Sequence, residues 1–336
     1  MLTQFYDHIS RPSSPLAVLR DTRVNRPAEM IIKDRYGKTG LAPDYVYWGF
    51  TRGSALKRSA EYLNRNGIKV IIDIGDLQYF DTHFSNISAL RHVRFLLARW
   101  PKTPKYKYMA ELVEIKKHNS FLEHAEIVNV PWGIDPNKYT SKYSNMPKDM
   151  DVSMICSSGN KYYHSNRRLA LAAIRKINGI TSFTKPVYGQ KYIDMLYRSK
   201  IFVVEGSRRN FLVQKYLEAA VCGAMLMGEL PVTGKTVFEH GKSIIGVSRY
   251  SNLEPNIRYF LGHPAERDRI AGLARKRVVK NYSLENTTAE FQAAILRDHT
   301  GAAPMATRNN TIITPKSRRA RKPRTRVSVS PRRVGR

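Results

Sequence analysis

Glu218 stands in the run Phe211-Leu-Val-Gln-Lys215-Tyr-Leu-Glu218-Ala-Ala-Val-Cys-Gly223, whose residue types and spacing suit the capture of a nucleotide. A carboxylate accepts two ribose hydroxyls at once, and Lys215, one helical turn earlier, brings a cation that can meet phosphate. Two other runs carry compatible chemistry. Ser157-Ser158-Gly159-Asn160-Lys161 joins small residues, past which backbone amides can approach a phosphate, to a point charge at Lys161. Glu205-Gly-Ser-Arg208-Arg209-Asn210 places two guanidinium groups just ahead of the Glu218 segment, where they could neutralise a departing pyrophosphate. Plainer readings exist for each: a solvated Glu/Lys pair on an amphipathic helix, and ordinary turns.

A different chemistry is suggested by Asp73-Ile-Gly75-Asp76-Leu-Gln-Tyr79-Phe80-Asp81-Thr-His83, with three carboxylates and an imidazole within eleven residues of a very basic chain. Asp76 and His83 are candidates for the general base that polarises an acceptor hydroxyl, since such a base must reach its proton from a strand end. Aspartates also cap helices and close turns. No Asp-x-Asp metal motif stands in this stretch. Gly228-Glu-Leu-Pro-Val-Thr-Gly234-Lys235-Thr236 is a near miss to a phosphate-binding loop, with five residues between its glycines where that motif has four, and with Pro231 inside the turn. It reads better as the loop after a Met225–Met227 strand, with Gly234 and Thr236 placed to touch a bound sugar or phosphate.

These side chains need elements to position them, and the apolar periodicity supplies an alternating series. Strands are predicted over 44–48, 69–74 and 125–130, with helices over 54–65, 89–99 and 108–118. Past a polar linker at 136–150 the pattern restarts. There, strands are predicted over 152–156, 185–188 and 201–204, with helices over 167–176, 192–198 and 211–222. Gly223 is a natural helix stop. Strands separated by helices argue for parallel sheets built of strand-helix-strand units.

A chain of 336 residues with 42% apolar content is long enough for two domains, each with its own core. Its two cysteines, Cys156 and Cys222, give neither a disulfide framework nor zinc-ligand spacing, which points to a reducing, cytoplasmic setting. The longest apolar stretch, 219–228, is far short of the roughly 18 residues of a membrane span, and the N-terminus lacks a secretory pattern. The net charge is +30, and eleven of the basic residues lie between Arg308 and Arg336, beyond the last acidic residue, Asp298. Such a segment is expected to be disordered and to suit a polyanion, either as a nucleic-acid tether or as a solubilising or nuclear-targeting tail. The remaining +19 favours the tether.

The Glu-Ala-x-x-x-Gly run at Glu218–Gly223 resembles the donor-binding element of retaining glycosyltransferases of family 4 and of the related spore-maturation-protein-like glycosyltransferases. The likeness continues through Val237-Phe238-Glu-His-Gly241-Lys, Tyr259-Phe260-Leu-Gly-His-Pro264-Ala-Glu-Arg267 and Ile270-Ala271-Gly-Leu-Ala-Arg275. Upstream, Val130-Pro131-Trp132-Gly133-Ile134-Asp135 matches the Pro-x-Gly-hydrophobic-Asp signature of the interdomain hinge. The resemblance implies an α/β protein of GT-B fold, two Rossmann-like domains whose parallel sheets face a cleft. The implied division is an acceptor-side domain at 1–135, a linker at 136–150, a donor domain at 151–299 and a basic tail at 300–336.

It also implies transfer of a hexose or pentose from a nucleotide sugar, UDP- or GDP-linked, to a hydroxyl acceptor, without a bound cofactor or metal. Ser157, Ser158, Gly159 and Lys161 would meet the diphosphate, Arg208 and Lys215 its developing charge, Tyr188 the base and Glu218 the ribose. The family's second glutamate, eight positions before the ribose-binding one, is replaced here by Asn210, whose amide can still bind a sugar hydroxyl. By analogy with phage enzymes that glycosylate hydroxymethylated bases, modified DNA is one acceptor, alongside proteins and glycans. The competing class is a nucleic-acid-binding or packaging protein that keeps the scaffold without activity.

Overall fold

Val-, Ile- and Leu-rich runs bounded by polar turns form most of the strands expected. The computed structural model describes residues 16–19, 45–48, 55–75, 89–99, 116, 119–140, 146–156, 165–206, 212–231, 234–235, 237–248 and 250–299. The first sheet contains β1 (Leu16–Leu19), β2 (Tyr45–Trp48), β3 (Lys69–Gly75), β4 (Val93–Ala98) and β5 (Glu126–Asn129), side by side in chain order. Every neighbouring pair is parallel. Helix α1 (Ala55–Arg65) connects β2 to β3 and ends before Gly67, which takes a left-handed φ of 61°.

The helix predicted over 89–99 is a strand instead. Val93, Phe95, Leu96 and Leu97 are all buried, and β4 pairs with β3 on one side and β5 on the other. A strand covered on both faces reads as an unbroken apolar run, which periodicity alone does not separate from a buried helix. Helix 108–118 falls almost wholly outside the described residues.

The second sheet has the order β10-β9-β8-β6-β7, again all parallel. Its strands are β6 (Met150–Ser153), β7 (Ser182–Phe183), β8 (Ser199–Val204), β9 (Met225–Gly228) and β10 (Ile245–Gly246). The predicted strand at 185–188 lies elsewhere: the short β7 precedes it, and residues 185–188 are irregular. Pro186 has no N–H to give a ladder, which confines pairing to the residues before it. After β5 comes α2 (Pro136–Thr140), where Asp135 Oδ1 accepts the Asn137 amide at 2.9 Å and Tyr139 is fully buried. The remaining helices are α3 (Ser165–Arg175), α4 (Gln190–Arg198), α5 (Gln214–Val221), α6 (Leu253–Gly262), α7 (Pro264–Asn281) and α8 (Leu284–His299).

One core layer lies between the second sheet and α4, α5 and α7, and another between that sheet and α3, α6 and α7. The last helix returns to the first sheet, where Phe291 packs with Tyr45, Ile71, Phe95, Leu97 and Val130. The chain therefore crosses between the sheets twice, and the crossings pair: the Ile134 amide donates to Tyr282 O at 2.9 Å, and the Leu284 amide to Ile134 O at 2.7 Å. Residues 1–302 form one unit; the second, 303–336, lies outside the described residues. Among the described residues no helix is long and apolar enough to cross a membrane.

Gly133 permits this crossing, because a Cβ there would stand 2.0 Å from Thr287 Oγ1 and 3.0 Å from Leu284 Cα. Gly133→Ala is expected to lower stability by about 1–3 kcal/mol through overpacking. A urea midpoint that does not move would show that the two crossings do not touch.

Candidate active site at the carboxyl ends of the second sheet

All strands of a parallel sheet present their carboxyl ends to one edge, where α/β proteins collect ligands. At this edge β8 runs into Glu205 and Gly206, β9 into Glu229, and β6 into Met154, Ile155 and Cys156. The register Val204↔Gly228 sets Glu205 and Glu229 at neighbouring strand ends. Gly228 allows the approach, with a φ of 139° and no room for a Cβ, which would lie 2.0 Å from Val204 O. Glu229 Oε2 accepts the Gly206 amide at 2.8 Å, and Oε1 accepts Asn166 Nδ2 at 2.5 Å. Arg167, next along α3, donates from Nε to Glu205 Oε1 at 2.5 Å. Burial pushes the Glu229 carboxyl above its ordinary value, against the pull of the Gly206 amide.

Helix α5 delivers the other half of the site. It starts at Gln214, three residues later than expected, so Lys215 lies in its first turn and Glu218 at its middle. Its end is a Schellman arrangement, with Gly223 at φ 72°, the Gly223 amide on Ala220 O at 3.0 Å and the Ala224 amide on Ala219 O at 3.1 Å. That stop places Met225 directly into β9. Lys215 Nζ donates to Ile155 O at 2.6 Å, so its ammonium sits at the carboxyl end of β6. Burial and then the neighbouring Arg167 charge lower the Lys215 pKa.

Glu218 is only 7% exposed. The Tyr192 hydroxyl, from α4, donates to its Oε2. A second phenol, Tyr139 of α2, feels the same carboxylate. Burial first and the Glu218 charge second raise the pKa of both phenols well above the ordinary range, so both stay protonated donors.

Of the residues singled out in the sequence, half-buried Lys215 and buried Glu218 are brought together one turn apart on α5. Tyr188 does not follow a strand. It stands 79% exposed two positions before α4, with Gly189 at φ 60° between them. Gly234 is buried in a tight turn, its amide on Pro231 O at 2.8 Å. Asp76, His83, Ser157, Ser158, Gly159, Lys161, Arg208, Asn210 and Thr236 lie outside the described residues.

The sequence reading passed over Arg167, Glu229, Tyr139 and Tyr192, and gave Glu205 no role. Glu205 and Glu229 carry a usable signal, since each is the first charged residue after an apolar strand. Arg167 and the two tyrosines carry none, because their partners are 38, 79 and 26 positions away in the chain. An Asp-x-Asp run does occur at Asp149–Asp151, at the opposite end of β6. There Asp149 pairs with Arg198 at 2.6 Å and Asp151 with Lys200 at 2.7 Å.

At the carboxyl edge of the first sheet, Asp73 is taken up by Arg99, Nε to Oδ2 at 3.1 Å, with side chains 4% and 1% exposed. The Arg99 guanidinium lies 5.0 Å from the Trp132 ring centroid. One of the three carboxylates of the Asp73–His83 run thus holds a buried ion pair beside Trp132.

Two parallel sheets in this order, with a last helix returning to the first, make a GT-B fold. Residues 157–293 match the profile of a family described as glycosyl transferase-like. No curated protein matches the sequence. Among solved structures, HepE from Anabaena in complex with UDP-glucose is similar at 12% identity, covering 81% of this chain and 84% of that one, with a TM-score of 0.55. Sucrose-phosphate synthase from Thermosynechococcus elongatus is similar at 12% identity, covering 82% and 77%, with a TM-score of 0.53. A glycosyltransferase from Rickettsia africae is similar at 10% identity, covering 85% and 84%, with a TM-score of 0.50.

The buried Arg99–Asp73 pair gives a check that needs no ligand. Arg99→Met removes the charge partner of a buried carboxylate and should cost about 3–5 kcal/mol. Adding Asp73→Asn should recover part of that loss in the same denaturation experiment; strict additivity would mean the two groups do not interact.

Proposed function

We propose that this protein is a glycosyltransferase that moves a sugar from a nucleotide-sugar donor, UDP- or GDP-linked, to a hydroxyl acceptor. The observation that carries the reading is Glu218, a buried carboxylate held by a phenol on a helix whose first turn brings Lys215 to the end of β6. The GT-B fold and the glycosyl transferase-like match over 157–293 support it. In this reading Glu218 accepts the ribose hydroxyls and the exposed Tyr188 ring stacks on the base. An ammonium has three N–H donors and the Ile155 carbonyl takes one, so Lys215 can also serve the diphosphate. Arg208 and the Ser157, Ser158, Gly159 and Lys161 loop complete that subsite, while Asn210, Gly234 and Thr236 meet the sugar.

Charge that develops on the departing diphosphate is stabilised by these cations and the start of α5, without a metal. Asp76 or His83 takes the acceptor proton. The donor domain is residues 151–299, the acceptor-side domain 1–135, joined by 136–150. The charge of +30 and the basic run from Arg308 to Arg336 favour a polyanionic acceptor such as DNA with hydroxylated bases. The same charge favours the second reading, a nucleic-acid-binding protein that keeps the scaffold without transfer.

UDP or GDP should raise the melting temperature by several degrees at saturating concentration, and Glu218→Ala should abolish that rise. A protein that binds DNA but neither nucleotide would leave only the second reading. Removing residues 308–336 should weaken DNA association and flatten its dependence on salt, by about 0.9 in log-log slope for each phosphate no longer neutralised. An unchanged slope would exclude the tail as a tether.

A further inference from the structure

We infer that Tyr192 is a positioning residue that makes the donor site selective for ribonucleotides over deoxyribonucleotides. This rests on the donor-site reading of Glu218. Holding two vicinal hydroxyls on one carboxylate requires both oxygens to lie in a fixed plane, which a side chain with three rotatable bonds does not hold by itself. Here the Tyr192 hydroxyl, reaching across from α4 to α5, donates to Glu218 Oε2 and pins that plane. The tyrosine ring packs against the core beneath α4 and α5, so the donor is itself immobile.

Other titratable groups surround the carboxylate. Tyr139 approaches from α2, Cys222 lies one turn further along α5, and Lys215 one turn earlier on the same helix. Lys215 is held to the Ile155 carbonyl and stays at the strand end, while Tyr192 holds Glu218. The division of labour places the cation at the phosphate end of a nucleotide and the carboxylate at its pentose. Tyr192 also belongs to the helix that begins two residues after the exposed Tyr188. A site that spends a buried polar group on a hydroxyl rejects the analogue lacking it.

The test uses the full-length chain and isothermal titration with UDP against 2′-deoxy-UDP, and GDP against 2′-deoxy-GDP. Wild-type protein should prefer the ribose form by about tenfold or more. Tyr192→Phe keeps the packed ring and removes only the hydroxyl, and should reduce the preference to about threefold or less; it should also lower the melting temperature by several degrees, because a buried carboxylate loses a donor, so the titrations are run well below the variant's transition. Glu218→Gln should reduce it likewise, and the double variant should lose no more than either single one. A preference that survives intact in Tyr192→Phe, or losses that add in the double variant, overturns the inference while leaving the donor site standing. A wild-type protein that binds neither UDP nor GDP overturns the donor site, and this inference with it.

Discussion

Taking a carboxylate out of water costs on the order of several kcal/mol unless donors replace the lost hydration. Glu218 meets that demand with a phenol from another helix, and much of the second sheet's arrangement follows. For Tyr192 to reach it, α4 must lie beside α5 on one face, which the apolar residues Ile193, Leu196, Leu217 and Ala220 secure. For Glu218 to sit at that depth, α5 must end at Gly223, and that ending feeds β9. The strand's last residue is the one glycine that can close against Val204. The carboxylate, the helix stop and the strand end are consequences of a single packing arrangement.

How much of this was legible from the sequence depended on whether the signal was local. β3, β8 and β9 are short apolar runs closed by charged or turn residues, and α5 ends at a glycine, so their letters announce them. β4 fails because Val93–Ala98 is covered by neighbours on both sides, and that fact resides in β3 and β5. The β7 pairing, only Ser182–Phe183, is too brief for a period of two to register. Its apolar neighbours, with Pro186 among them, drew the prediction downstream.

The site divides in the same way. Glu218 and Lys215 are neighbours on one turn and could be read directly. The side chains around them come from α2, α3 and α4, tens of residues away, where Tyr139, Arg167 and Tyr192 look like any other residues on amphipathic helices. Asp73 shows the converse: in the sequence it belongs to a conspicuous acidic run, whereas in the structure Arg99 takes it for a buried pair. The first charged residue after an apolar parallel strand is a better guide, and both Glu205 and Glu229 meet that description.

Among the described residues, the two sheets are coupled through residues 132–134 and 282–287. The Arg99 guanidinium lies over Trp132, Gly133 admits Thr287, and Ile134 shares two backbone hydrogen bonds with the segment leading into α8. Phe291, two turns into α8, is buried among strands of the first sheet, so the second crossing is anchored as firmly as the first. Paired crossings cannot lengthen independently. Any change in separation between the sheets must bend residues 132–135 and 282–284 together. The Arg99–Asp73 pair reaches this same region from the carboxyl edge of the first sheet.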